Sequence, residues 1–350
     1  MAQRAGIRVL PQANSRRSAG QALHASGSRQ PSHTGDCGRT GNDPLGPRQA
    51  RRYSEGRADR KAIEVTAPTV VDQVNLGDHV CWTHDDESDA LDAVGRFAAS
   101  GLRLGHKVIC LTNSSTPQAV RTHLEAAGVP TEAAVAAGQL RIQPAVERYL
   151  TGSRLVPQPL LAALVEEVTR AQREGYSGLR LAGDMAWVVG SGTTLDDLCR
   201  YEANVNRLFV DGRVAGMCLY DRRLFPAEQL RAVAAAHPAT TGPQADRNWT
   251  PLLRAYRTAN PPGLRFVGQV DHSNREAFAA LLADVTGDAP ADRPVLVDVS
   301  ELSFLDVGAA SALVRADRDA AGGVLLVGCR PALRRLLGLL RDGGLVERAA

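Results

Sequence analysis

The chain has 350 residues, more than one hydrophobic core usually organises, so its length favours about two domains. Hydrophobic residues make up 44% and charged residues 23%, and no apolar run approaches the roughly 18 residues that a membrane-spanning helix needs. The net charge of +3 arises in residues 1–62, which hold twelve basic and four acidic residues, so the rest of the chain is mildly acidic. We therefore expect neither nucleic acid nor a membrane as a partner.

The six cysteines show no CxxC pair and no spacing typical of a disulfide framework. Three of them, Cys110, Cys218 and Cys329, lie in short apolar runs that predict buried strands. No charged, apolar and small-residue signal peptide opens the chain. These features predict a cytoplasmic protein.

Residues 1–62 are rich in Arg, Ser, Gly, Gln and Pro and show no sustained apolar periodicity. Such a segment buries too little surface to offset the entropy of ordering, so the sequence predicts disorder there.

Strand and helix patterns alternate over residues 70–240, which favours a layered α/β domain with a mostly parallel sheet. Residues 241–263 contain four prolines and are predicted to form a linker. A smaller α/β domain is predicted over residues 264–348. The predicted strands cover residues 79–83, 107–112, 139–143, 179–184, 214–220, 264–270, 294–299 and 324–329.

The loop after the first predicted strand, residues 84–89, has the sequence HDDESD. A phosphate-binding loop at this place needs glycines, whose backbone N–H groups approach the phosphates, and a lysine that reaches their oxygens. This loop has neither, and its four carboxylates favour the start of the next helix but repel an anion. The chain has no GxxxxGK[ST] motif, so P-loop nucleotide hydrolysis is disfavoured.

Several short motifs between residues 70 and 240 resemble the MEDS sensory domain of bacterial regulators. They are Asp78-His79-Val80-Cys81-Trp82, Gly101-Leu102-Arg103-Leu104-Gly105, Tyr201-Glu202, Asn206, Leu219-Tyr220-Asp221 and His237-Pro238. That family is regarded as a degenerate relative of RecA-like ATPases. The resemblance implies a RecA-like parallel sheet that senses a small molecule without hydrolysing nucleotide.

Seven residues are candidates for binding that small molecule: His79, Cys81, Glu87, Asp184, Glu202, Tyr220 and Asp221. His79 and Cys81 share one face of a strand, and we expect them to point toward the crevice at its carboxyl end. Asp184 and Tyr220-Asp221 end two further strands at the same edge.

Glu202 falls on the apolar stripe of a helix predicted from residue 195, so its carboxylate needs a partner. A hydrogen bond to neighbouring backbone or to an arginine is one interpretation, and contact with a ligand is the other.

His79, Cys81 and His84 resemble the beginning of a soft-metal site, but no paired spacing supplies the remaining ligands. The sequence therefore predicts no metal site and no other cofactor.

Residues 264–346 resemble the STAS domain of anti-sigma factor antagonists. The resemblance lies in a strand over residues 264–271, a second strand ending at Asp306, and a helix that begins at Val307. In the family, a serine or threonine follows the aspartate and is phosphorylated by a partner kinase. Valine at position 307 has no hydroxyl, so this phosphoswitch is absent.

The resemblance to STAS domains implies a protein-binding surface at Asp306, Val307, Gly308 and Ala309. Asp306 is also a suitable N-cap for the helix. The small residues admit either a partner protein or close packing of the helix on its own sheet.

Together these features predict a non-catalytic bacterial signalling regulator. A small-molecule sensing domain would be coupled to a STAS output domain that binds an anti-sigma factor or a histidine-kinase-like protein. Two alternatives stay open: a diverged nucleotide-binding enzyme that uses His79, Asp184 and Glu202, and a pure protein-interaction module, which an apolar pocket at the carboxyl ends of the strands would count against.

Overall fold

The computed structural model of the protein describes residues 8–9, 69–151, 154–287 and 289–341. The disorder predicted for residues 1–62 falls outside these ranges except at Arg8–Val9, which form a short strand.

Strands and helices alternate through most of the described chain. The strands are β1 (Arg8–Val9), β2 (His79–His84), β3 (Lys107–Thr112), β4 (Leu140–Pro144), β5 (Leu150–Thr151), β6 (Arg154–Leu155), β7 (Leu179–Asp184), β8 (Val214–Asp221), β9 (Ala239–Thr241), β10 (Leu253–Ala259), β11 (Pro262–Val270), β12 (Val295–Leu305) and β13 (Val324–Val327). The α-helices are α1 (Glu87–Arg103), α2 (Pro117–Ala126), α3 (Thr131–Ala136), α4 (Val146–Tyr149), α5 (Pro157–Arg173), α6 (Leu195–Val205), α7 (Ala227–Ala235), α8 (Arg275–Gly287), α9 (Val307–Asp319) and α10 (Pro331–Arg341).

The first domain is built on a six-stranded sheet in the order β4-β3-β7-β8-β2-β9, and every pair in it is parallel. Strands β2, β3 and β8 are buried along their whole length, as expected for parallel strands covered by helices on both faces. Alternate residues of β8 enter different cores: Met217 and Leu219 pack with α1 and α2, whereas Cys218 and Tyr220 pack with α5 and α6.

The second domain contains a five-stranded mixed sheet in the order β1-β13-β12-β11-β10, in which only the β10–β11 pair is antiparallel. Helices α8, α9 and α10 supply residues to its core, which includes Phe266, Phe278 and Leu313. The predicted fold class, a parallel α/β sheet followed by a small STAS-like α/β domain, is therefore confirmed.

The structure differs from the prediction of a linker over residues 241–263, because β10 and the start of β11 lie there. Leu253 and Ala255 are buried in the second core while Arg254 and Tyr256 are only partly covered, which is the alternation of a half-buried strand. The prolines at 251, 261 and 262 flank this strand, so a proline-rich composition concealed a short period-two pattern. The remaining domain limits stay a prediction.

The two domains contact each other beside the start of β2. Asp78, only 2% exposed, accepts two hydrogen bonds from the guanidinium of Arg254, at 2.7 and 2.9 Å. The backbone N–H of Leu253 donates to the carbonyl of Pro238 at 3.2 Å. Val210 of the first domain packs into the core of the second. A partly buried ion pair, a backbone hydrogen bond and shared apolar packing thus join the two domains.

We expect Arg254→Ala to lower the free energy of unfolding by on the order of 3 kcal/mol, because it leaves the buried Asp78 carboxylate without its cation. Urea unfolding followed by circular dichroism measures the change. Arg293→Ala is the control: Arg293 lies 3.9 Å from Asp292 in an exposed pair, and its loss should cost about 0.5 kcal/mol or less. Equal losses in the two variants would contradict the assignment of the Asp78–Arg254 pair to the domain contact.

Candidate functional site

A cavity lies at the carboxyl ends of β2, β3, β7 and β8, between these strands and α1. Its volume is about 60 Å³, room for roughly four to six water molecules or one small organic molecule. Its lining residues are His84, Glu87, Ala90, Leu91, Val94, Cys110, Leu111, Thr112, Ser114, Ser115, Val120, Ala182, Asp184, Leu219, Asp221 and Arg223. The position is the one where open parallel sheets bind ligands.

Acids outnumber arginine in the lining of this cavity, with carboxylates from Glu87, Asp184 and Asp221. Arg223, the one arginine in the lining, is paired with Asp221 at 2.6 Å. Its hydrogen bonds to the Asp221 carboxylate lower the pKa of that group. The guanidinium of Arg223 is therefore already neutralised by Asp221. The other two carboxylates, of Glu87 and Asp184, disfavour an anionic ligand.

The carboxylates at the start of α1 form hydrogen bonds or ion pairs with neighbouring residues. Asp86 caps the helix and accepts from the backbone N–H of Ser88 at 2.7 Å. Glu87 accepts from the hydroxyl of Ser115 at 2.5 Å, and Asp85 pairs with Arg222 at 2.7 Å. Carboxylates thus hold the helix start where a phosphate loop would present backbone N–H groups.

Asp184, at the end of β7, holds the loop that follows β3. Its carboxylate accepts from the backbone N–H groups of Asn113 at 3.1 Å and Ser114 at 2.5 Å. Its other oxygen accepts from the backbone N–H of Ala186 at 3.0 Å. This side chain therefore shapes one wall of the cavity.

A second group of polar side chains is buried behind the sheet, and none of its members lines the cavity. We call it the buried cluster: His79, Glu202, Cys218 and His237, with one donor atom from each lying within 4.8 Å of the others. Glu202 and His237 are 0% exposed, His79 2% and Cys218 8%. Four separate elements bring them together, since His79 begins β2, Glu202 lies on α6, Cys218 lies on β8 and His237 follows α7.

The atoms of the buried cluster face one another at short range. Oε2 of Glu202 lies 3.5 Å from Nε2 of His79, 3.5 Å from Nε2 of His237 and 3.7 Å from Sγ of Cys218. Sγ of Cys218 lies 3.4 Å from Nε2 of His79. The other carboxylate oxygen of Glu202 accepts from the hydroxyl of Tyr220 at 2.6 Å.

Hydrogen bonds fix the orientation of both imidazoles. Nδ1–H of His237 donates to the backbone carbonyl of Val233 at 2.8 Å, and Nδ1–H of His79 donates to Oδ1 of Asn206 at 2.9 Å. The amide nitrogen of Asn206 donates to backbone carbonyls, including that of Glu202 at 3.0 Å, which turns its oxygen toward His79. In both rings the unprotonated Nε2 then points into the cluster.

Burial governs the protonation of these groups. It lowers the pKa of His79 well below the usual range, helped by the nearby His237. It raises the pKa of the Cys218 thiol and of Tyr220, and in both cases the adjacent Glu202 carboxylate adds to the rise. A neutral imidazole and a protonated thiol are therefore favoured at neutral pH when no cation is near.

The seven residues predicted to bind a ligand divide between these two places. Glu87, Asp184 and Asp221 line the cavity; His79, Glu202 and Tyr220 belong to the buried cluster or touch it. Cys81 is fully buried beside Cys218, its register partner. His79 starts its strand, at the end opposite the cavity, so it does not point toward the crevice as expected.

Sequence reasoning missed Cys218 and His237 as members of a site. His237 stood among the motifs of the first-domain resemblance, which was the available signal. Cys218 gave none, because only the parallel register of β2 with β8 places it beside His79 and Glu202.

At the start of α9 the structure separates the two interpretations of the small residues. Ala309 is buried in its own domain, and a Cβ on Gly308 would lie 2.4 Å from Cζ of Arg275, so both serve internal packing. Asp306 caps the helix through the N–H of Ala309 at 2.7 Å and pairs with Arg275 at 2.7 Å. Val307, 52% exposed, is the member of this predicted surface that stays accessible.

Two family models match the two domains of the chain. Residues 78–238 match the family model of the MEDS domain, the methanogen/methylotroph DcmR sensory domain, and residues 253–347 match the model of the Mlab STAS domain. Among solved structures, the chain is similar to the flagellar accessory protein FlaH from Methanocaldococcus jannaschii, with 9% identity over 56% of this chain and 80% of that chain and a TM-score of 0.36. No curated protein is significantly similar in sequence. Across the residues described by the structure, every helix is too short or too polar to span a membrane.

Proposed function

Since the chain carries a MEDS sensory domain followed by a STAS domain, we propose that this signalling regulator is a non-catalytic receiver of a small molecule. The ligand would bind in the cavity at the carboxyl ends of the strands. The STAS domain would contact an anti-sigma factor or a histidine-kinase-like protein. The cysteines of the described chain are free, which supports a reducing cytoplasm as the compartment.

The observation that carries this proposal is the cavity itself, which combines an apolar floor with a polar rim. Leu91, Val94, Val120 and Leu219 lie in its lining together with the acids of the rim. Apolar walls bind the carbon skeleton of a ligand, and a few polar groups fix its orientation. A volume of about 60 Å³ limits the ligand to a small molecule, and the carboxylates of the lining favour a neutral or cationic one.

The surroundings of the cavity argue against nucleotide chemistry. The acidic loop repels phosphates, and the nearest lysine in sequence, Lys107, begins β3 at the opposite end of the sheet. There it pairs with Glu167 at 3.3 Å and Glu174 at 2.6 Å. A lysine bound in this way is not available to neutralise a transferring phosphoryl group.

The proposed output surface lies around the start of α9. Val307 and Phe304 are 52% and 51% exposed, two apolar side chains that a partner protein can cover. Because position 307 has no hydroxyl to phosphorylate, ligand binding to the first domain would control partner binding instead. The ion pair of Asp78 with Arg254 joins the first domain to the second. If the ligand changes the affinity for the partner, the partner must change the affinity for the ligand by the same factor.

Filling the cavity tests the sensory half of this proposal. We expect Ala90→Phe, on the α1 wall, to weaken binding of small molecules at least about tenfold by occupying the space that the ligand needs. Calorimetry with a panel of small alcohols, amines and ketones, and with ATP as the comparator, measures the affinities. Ala99→Phe is the control, because Ala99 is also half-buried on the same helix but lies outside the cavity lining. Tight binding of ATP to the wild type, or equal losses in both variants, would contradict a small-molecule site here.

A charge on the output surface tests the other half. We expect Val307→Glu to weaken binding to a purified anti-sigma factor of the same organism at least about tenfold, because a carboxylate would be desolvated in the interface. The matched control is Val165→Glu on α5, where the valine is 45% exposed. Titration by calorimetry measures both affinities, and equal binding by Val307→Glu and the wild type would exclude this surface.

A further inference from the structure

We propose that the buried cluster is a structural zinc site, with Nε2 of His79, Nε2 of His237, Sγ of Cys218 and one carboxylate oxygen of Glu202 as its four ligands. This site is distinct from the cavity and does not depend on the proposed function. The sequence alone predicted no metal, because the ligands come from positions far apart in the chain.

The distances within the cluster fit a tetrahedron around one ion. Zinc bonds of about 2.0 Å to nitrogen or oxygen and about 2.3 Å to sulfur give tetrahedral edges of about 3.3 Å between nitrogen or oxygen atoms and about 3.5 Å from these atoms to the sulfur. Four of the six edges among these atoms range from 3.4 to 3.7 Å, and the edges from His237 to His79 and to Cys218 are within 4.8 Å. A small cation at the centre would therefore reach all four atoms after a modest contraction of the cluster.

The groups around the cluster orient its members as metal ligands are usually oriented. Each histidine donates Nδ1–H away from the cluster, to Asn206 or to the carbonyl of Val233, and presents Nε2 to it. Tyr220 donates to the carboxylate oxygen of Glu202 that faces away from the two histidines. Such outer hydrogen bonds fix the tautomer and the direction of metal ligands.

Two features of the cluster remain unbalanced without a cation. Nε2 of His237 is buried and has no hydrogen-bond partner in the described structure. Within the same residues no lysine or arginine forms an ion pair with Glu202, although its carboxylate is 0% exposed. A divalent ion would satisfy the imidazole and, together with a Cys218 thiolate, balance the charge of Glu202 to zero.

The choice of ligands favours zinc among divalent ions. One thiolate, two imidazoles and one carboxylate form a mixed set of borderline softness that zinc accepts in tetrahedral geometry. Four protein ligands buried from solvent leave no position for a water, which indicates a structural site rather than a catalytic one. On binding, the Cys218 thiol releases its proton to solvent and a Zn–S bond forms, with no change in oxidation state.

The position of the cluster gives the metal a specific structural role. Asp78, next to His79, pairs with Arg254 of the second domain. Pro238, next to His237, accepts from the backbone N–H of Leu253 in the same domain. A bound ion would therefore hold the residues that contact the STAS domain, and its removal should loosen this contact.

Metal content of the full-length protein tests the proposal. We expect about one zinc per chain by inductively coupled plasma mass spectrometry after purification and dialysis, and less than about a tenth of that in Cys218→Ser and His237→Ala. Cys81→Ser is the matched control, since Cys81 is a buried cysteine of the same core that supplies no atom to the cluster. Wild-type protein that holds no zinc even after incubation with zinc salts, or Cys218→Ser with full zinc content, would overturn the proposal.

A second measurement keeps the test decisive if the ligand variants fail to fold. Wild-type protein loaded with Co²⁺ should show a thiolate-to-cobalt charge-transfer band and the visible bands of tetrahedral cobalt. Tyr220→Phe keeps the shape of the side chain and removes its hydrogen bond to Glu202, so zinc affinity in a competition with a chelator should fall about 10- to 100-fold. Wild-type cobalt protein without a thiolate band would overturn the ligand set, and unchanged affinity in Tyr220→Phe would contradict the role of Glu202.

Discussion

The carboxylate of Glu202 is fully buried in the first domain. Its burial is unfavourable unless neighbouring groups form hydrogen bonds with it or balance its charge. The hydroxyl of Tyr220 satisfies one oxygen, while the imidazoles of His79 and His237 and the thiol of Cys218 surround the other. These groups come from β2, β8 and the segment after α7, so the position of α6, which carries Glu202, is tied to them. A single ion of double positive charge would satisfy all of them at once.

The parallel sheet separates two tasks between its two ends. Its carboxyl end carries the cavity, which Glu87, Asp184 and Asp221 line with carboxylates. Its other end, beside Asp78, contacts the second domain through Arg254. The buried cluster begins at His79, one residue from that contact, and Cys218 and Tyr220 of β8 lead from it toward the cavity edge at Asp221. Packed strands thus connect the proposed ligand site with the proposed output domain.

Hydrophobic periodicity predicted the limits of several elements well. The predicted strands at 107–112 and 179–184 have the same limits as β3 and β7, because short, mostly apolar runs that follow turn residues leave few alternatives. The strand β10 was missed because prolines on both sides of it make the surrounding segment resemble a linker. Glu202 was correctly expected to need a partner, but that partner is the hydroxyl of Tyr220 rather than backbone or arginine. The contact of residues as distant as His79 and Cys218 follows from strand order, which no local pattern in the sequence specifies.

X-ray absorption at the zinc edge on the purified full-length protein tests whether one cation balances the Glu202 carboxylate. We expect a four-coordinate shell with one sulfur at about 2.3 Å and three nitrogen or oxygen atoms at about 2.0 Å. A shell without sulfur, or protein that retains no zinc, would contradict it.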